Sequence, residues 1–202
     1  MDDTADPAAG RVIVVGAGVV GLTCAVRLLE AGHRVDVMAR DLPRETTSAL
    51  APTLWHPYRI AAGERAASWA VSSYRVLARL ADEPGTGVRM LPGTELLRWP
   101  APDPWWREVL PGLEAAAPPS GYASARRFAA PVVEMPTHLE WLRKRVLGLG
   151  GTLTRLNLRQ LPVGADVVVN CSGIGSRLLA GDLTVVPVRG QVGHVAPVGV
   201  DE

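Results

Sequence analysis

"RVIVVGAGVVGLTCAVRLLEAGHRVDVMAR", residues 11–40, decides the fold. Arg11 to Val15 opens it with a short apolar run, the pattern of a strand covered on both faces. Val19, Leu22, Val26 and Leu29 then recur at helical spacing, and Gly32 stands where that helix should end. Val35, Val37 and Ala39 alternate, which predicts a second strand. Strand, helix and strand in about thirty residues make one βαβ unit.

Between the first strand and the helix stands Gly16-Ala17-Gly18-Val19-Val20-Gly21, a G-x-G-x-x-G. The first glycine permits a tight turn, the second lets the backbone approach a pyrophosphate, and the third lets helix and strand pack closely. The helix N-terminus adds free N–H groups and the positive end of the dipole. The motif predicts dinucleotide binding because it follows a strand and opens a helix. Which dinucleotide stays open at this point. A ribose-binding acid is expected about twenty residues on, and that place reads Ala39-Arg40-Asp41. Asp41 suits a ribose; Arg40 suits a ribose 2′-phosphate, hence an NADP-dependent reductase.

Several further elements follow from pattern. Trp69, Val76, Leu77 and Leu80 predict one face of a helix, with Trp69 and Tyr74 in the core. "VRMLPGTELLRW" (88–99) and "GYASARRFAAPVVEM" (121–135) read as strands, separated by a proline-rich connection in which Trp105 and Trp106 pack internally. Thr137 and Glu140 form a T-x-x-E capping box ahead of a helix that buries Leu139, Leu142, Val146 and Leu149 and stops at Gly150-Gly151. "TLTRLNLR" and "ADVVVNCSG" read as strands, the second buried, and "VVPVRGQVGHVAPV" as extended chain.

Composition narrows the partners. A net charge of +1 argues against binding nucleic acid or a membrane surface through bulk charge. Only Lys144 among the basic residues is a lysine, as GC-rich bacterial coding would produce. The histidines are scattered and Cys24 and Cys171 lack metal-ligand spacing, so no metal site is expected. No apolar run reaches the ~20 residues of a membrane span, and the acidic start is unlike a signal peptide. The expected location is cytoplasmic.

"ARDLPRETTSALAPTLWHPY" (39–58), then "GADVVVNCSG" (164–173) and "PVRGQV" (187–192), together resemble the D-amino-acid oxidase family of flavoenzymes, in collinear order over nearly the whole chain. The resemblance implies FAD as cofactor and oxidation of a D-amino acid by hydride transfer to the flavin N5. Dioxygen would reoxidise the flavin, and the products would be a 2-oxo acid, ammonia and hydrogen peroxide. It also implies positions. Ala17, Gly18, Val19 and Val20 would lie along the pyrophosphate, flanked by Gly16 and Gly21. Arg40 and Asp41 would meet the adenosine ribose, and Thr46, Thr47 and Ser48 the phosphates. Pro52, Thr53 and Leu54 would line the flavin ring, Leu158 the adenine, and Cys171, Ser172 and Gly173 would lie under the dinucleotide. His56 would stand near the mouth of the substrate pocket. Catalytic side chains are not assigned.

Two departures from the family pattern stand out. The flavin-facing stretch is usually rich in alanine and glycine; here Pro52 removes an N–H and Thr53 adds a branched side chain. The family's substrate-carboxylate clamp and second glycine-rich segment, from its C-terminal half, have no counterpart in this sequence. The expected architecture is α/β: a Rossmann-like FAD-binding domain with a parallel sheet, from residues 10–82 and 138–190, plus part of an α+β substrate-binding domain from 83–137 and 191–202. Such a chain would expose apolar sheet edge, acting with a homodimer partner or a chain that supplies the rest. The alternatives are an FAD- or ADP-binding fragment without catalysis, and the NADP reductase.

Overall fold

A computed structural model describes residues 10–51, 53–57, 63–110 and 112–193. They divide into two compact units: one holds the described residues up to Ala51 together with Met135–Gly193, the other those between. The first boundary therefore falls after Ala51 instead of near residue 82, because the helix at 64–81 packs on the second unit's sheet.

The first unit is built on strands β1 (Arg11–Val15), β2 (Arg34–Ala39), β7 (Thr152–Arg155) and β8 (Val167–Asn170). The sheet order is β7-β2-β1-β8 and every pairing is parallel. Val14 faces Val37 on one side and Val169 on the other, and Val12 to Val15 are almost wholly buried. Helix α1 (Val19–Glu30) connects β1 to β2 and buries Gly21, Leu22, Ala25 and Val26. Val19 and Leu29 reach only half-burial; the small Gly21 and Ala25 take the innermost places. Gly32 closes this helix at φ +88°, its N–H donating to the Leu29 carbonyl.

Helix α4 (Met135–Gly148) packs beside α1 and buries Leu139, Leu142 and Val146. It starts two residues before the expected box, so Thr137 lies inside its first turn and Glu140 pairs with Arg143 at 2.8 Å. Leu149 is 40% exposed, since the helix ends before reaching it. Gly150, at φ +85°, and Gly151 turn the chain into β7 by donating to the Leu147 and Val146 carbonyls.

Strand β8 departs from expectation: it is the sheet edge among the described residues, and Val167 is half exposed. Residues 181–193 contain no strand, and Val186 and Val188 are exposed. A continuous apolar run reads as fully covered; here the second cover is missing among the described residues.

The second unit is an antiparallel sheet of β3 (Thr53–Leu54), β6 (Ser124–Val133) and β4 (Val88–Leu97), with β5 (Glu114–Ala116) also on β6. Pro92 is tolerated because β4 is an edge strand. Helix α3 (Glu64–Ala81) covers this sheet through Ala70, Tyr74 and Leu77, which recur at spacings of four and three. Trp69 falls one residue off that stripe and is 66% exposed, so it is not core. Trp55, Trp106 and Phe128 fill the core: Trp55 meets Tyr74 edge-on at 5.2 Å, and Trp106 meets Phe128 at 5.9 Å. The packing expected for Trp105 and Trp106 is present.

Candidate functional site

The glycine motif forms the turn from β1 into α1. Gly16 adopts φ +113°, which a side chain rarely accepts, and its N–H continues the sheet by donating to the Met38 carbonyl at 2.9 Å. A Cβ on Gly21 would lie 2.0 Å from the Gly16 carbonyl oxygen and 3.3 Å from the Cys171 Cβ. This is the close helix–strand approach the third glycine permits. No acidic residue stands in the first turn of α1, and its cap residue Gly18 has no side chain to close it.

A different segment reaches that helix end. After β2 the chain makes a 3-10 turn (Pro43–Glu45) and a single helical turn α2 (Thr47–Leu50). The Val19 N–H donates to Ser48 Oγ at 3.2 Å. A Cβ on Gly18 would stand 2.9 Å from the same oxygen, so glycine there admits the hydroxyl. Thr46 differs: its hydroxyl donates to the Pro43 carbonyl at 2.7 Å, keeping its lone pairs for other donors. Thr47 is exposed beside it.

Arg40 and Asp41 pair with each other, guanidinium to carboxylate at 2.6 Å. The Arg40 hydrogen bond lowers the Asp41 pKa and keeps the carboxylate ionised. Arg155, the last residue of β7, pairs with Glu45 at 2.6 Å. Leu158, half-buried, lies in the segment that follows.

At the end of β8, Cys171 continues the sheet by donating its N–H to the Val15 carbonyl at 2.8 Å. Burial, with the Cys24 thiol close by, pushes its own thiol up to about 12. Ser172 Oγ donates to Asn170 Oδ1 at 2.6 Å, and Asn170 Nδ2 donates to Ser176 Oγ at 3.2 Å. Gly173 opens the next turn at φ +56°. The first unit thus brings Gly16–Gly21, Ser48 and Cys171 together.

Thr53, Leu54 and His56 belong to the second unit, and Pro52 lies outside the described residues. Thr53 and Leu54 are tied to Val133 and Val132 of β6. The His56 ring meets Trp106 edge-on at 4.9 Å, and its Nε2 is 3.6 Å from Glu95 Oε1. Arg126, the cross-strand partner of Glu95, lies 3.5 Å from the other carboxylate oxygen. Glu95, Arg126, Glu45 and Arg155 escaped sequence reasoning; a strand register would have been needed to find the first pair.

The chain is similar to known proteins. The family model described as FAD dependent oxidoreductase (DAO) matches residues 11–202. The chain belongs to this family. FAD is therefore the cofactor its fold serves. A D-amino-acid oxidase of Rubrobacter xylanophilus is 47% identical over 199 residues, covering 95% of this chain. One of Streptomyces coelicolor is 45% identical over 207 residues, covering 99% of it. The chain spans 61% and 62% of the length of these two relatives. Among solved structures, glycine oxidase from Geobacillus kaustophilus superposes with a TM-score of 0.68 at 16% identity, covering 86% of this chain and 58% of that one. That likeness is one of fold.

The DAO residues present suit a bound dinucleotide. A helix start whose own cap residue is glycine, room left by that glycine, and the hydroxyl of Ser48 seated on the first helical amide place the remaining N–H groups and an O–H donor where phosphates need them. Arg40 and Asp41 stand together as an exposed ion pair just past the end of β2. None of the described helices is long and apolar enough to cross a membrane.

Proposed function

We propose that this chain forms the FAD-holding part and one pocket wall of an oxidase that converts a D-amino acid to its 2-oxo acid, with ammonia and hydrogen peroxide as co-products. The single observation that carries the reading is the Val19–Ser48 contact, which joins the hydroxyl loop to the glycine-opened helix. The names of the two relatives support the D-amino-acid side of it.

In this reading the backbone of Ala17 to Val20, between Gly16 and Gly21, follows the pyrophosphate, and Thr46, Thr47 and Ser48 offer hydroxyls to the phosphates. Asp41 accepts from the ribose while Arg40 holds its carboxylate ionised. Leu158 packs by the adenine, and Cys171, Ser172 and Gly173 floor the site. Thr53 and Leu54 present backbone to the ring, Thr53 adds a branched side chain there, and Pro52 has no N–H to offer it. His56, set by Glu95 and Trp106, borders the substrate. When bound, FAD supplies the acceptor for the hydride that leaves the substrate α-carbon. The chain's own task is to orient that carbon and keep water out; no side-chain acid or base is required of it.

The test is peroxide release. FAD-loaded protein is incubated with D-alanine, D-aspartate and L-alanine, and peroxide is expected with a D-isomer alone. A second reading, a module that holds FAD without turnover, is favoured by the partial span of the relatives. Tight FAD binding with no peroxide from any substrate would select it.

A further inference from the structure

We infer that Glu45 is a positioning residue for the cofactor: held by Arg155 and by the Leu42 N–H, it sets the Thr46–Ser48 segment against the N-terminus of α1. This rests on the FAD reading of that helix end.

The geometry is a chain of short contacts. Arg155 ends β7 opposite Ala39 of β2, so its backbone is fixed by the sheet. Its Nη2 donates to both oxygens of Glu45, at 2.6 and 2.8 Å. The same carboxylate accepts the Leu42 N–H at 3.0 Å, while the Glu45 N–H donates to the Leu42 carbonyl at 2.8 Å. The 3-10 turn is thereby closed on itself and tied to the sheet. Thr46 follows directly, its hydroxyl on the Pro43 carbonyl of that turn. Two residues later Ser48 accepts the Val19 N–H. The first anchored atom and the helix amide are joined through one short turn, so a shift of Glu45 carries to Ser48.

Stability alone does not account for the pair. Both side chains are about half exposed, at 54% and 49%, and ion pairs so exposed add little to folding. Glu45 is pulled below the usual carboxylate range by Arg155 first and by the Leu42 N–H second, so it is charged at neutral pH. Its effect should therefore appear in what the loop holds.

Two measurements test this on the whole chain: the FAD dissociation constant, from flavin fluorescence, and hydrogen exchange at the Val19 amide in cofactor-free protein. E45A should bind FAD about fivefold more weakly, the upper end for one exposed charged contact, and exchange Val19 faster, with the unfolding midpoint nearly unchanged. R155E should behave likewise, and the charge-swapped E45R/R155E pair should recover part of the affinity. Unchanged Val19 exchange in E45A would overturn the positioning role, whether or not FAD binds. Unchanged FAD affinity in both single variants would overturn its link to the cofactor. Wild-type protein that never binds FAD would fail the FAD reading instead, and the exchange result would still decide the clamp.

Discussion

Ser48 Oγ accepts the Val19 N–H at 3.2 Å, so a loop hydroxyl from beyond β2 occupies the first amide of α1. Replacing it by alanine removes that acceptor and leaves a helix start with one more unmet donor. S48A should lose about 1 kcal/mol, the usual worth of a helix cap, seen as a drop of about 2–4 °C in the unfolding midpoint. S48T keeps the hydroxyl and should lose less. FAD affinity should fall in S48A more than in S48T.

Gly21 permits the closest approach in the unit. With a Cβ only 2.0 Å from the Gly16 carbonyl oxygen, G21A must push α1 away from β1. Overpacking of this kind costs about 1–3 kcal/mol. Denaturant unfolding should register the loss, and FAD binding should weaken with it. G32A makes a useful comparison: its Cβ would meet nothing within 4 Å, so only the strain of φ +88° remains.

Much of this was legible beforehand, and the exceptions share a cause. The βαβ unit is local: its strand and helix periods lie within one window, so pattern alone finds it. The loop hydroxyls were found through resemblance. What pattern could not supply is anything fixed by register or by the neighbour across an element. Glu95 and Arg126 meet only because β4 and β6 pair as they do. Trp69 reads as core in any helical tally, yet Ala70, one residue on, faces the sheet. Glu140 reads as a capping partner until α4 begins at Met135 and Arg143 takes its carboxylate.

Cys171 should be chemically quiet. Burial and the adjacent Cys24 push its thiol up to about 12, and the thiolate is the reactive form. In native protein at pH 8 a thiol reagent should label Cys171 far more slowly than after denaturation. The fold favours the protonated thiol, so this contribution is full below the ordinary thiol pKa and is lost as pH climbs toward about 12. Rapid labelling of Cys171 in folded protein would contradict the raised pKa of this partly buried thiol.

Asp36 behaves in the opposite sense. The Thr152 hydroxyl, and then Arg11, hold its carboxyl below the usual range. A depressed folded pKa means stability present above the unfolded value and lost as pH falls through the folded one. D36N should therefore unfold at lower temperature than wild type at pH 7. The difference should shrink below about pH 4, where an unfolded aspartate takes up its proton. Melting curves across that range check both the sign and the window.

The central claim is that the helix start opened by Gly16–Gly21 and met by Ser48 holds FAD. Titrating the cofactor-free chain with FAD, and separately with NADP, while following flavin or tryptophan fluorescence tests it most directly. The account predicts saturable binding of one FAD per chain, weakened in S48A, and no saturable response to NADP. No response to FAD, or a saturable response to NADP alone, would contradict it.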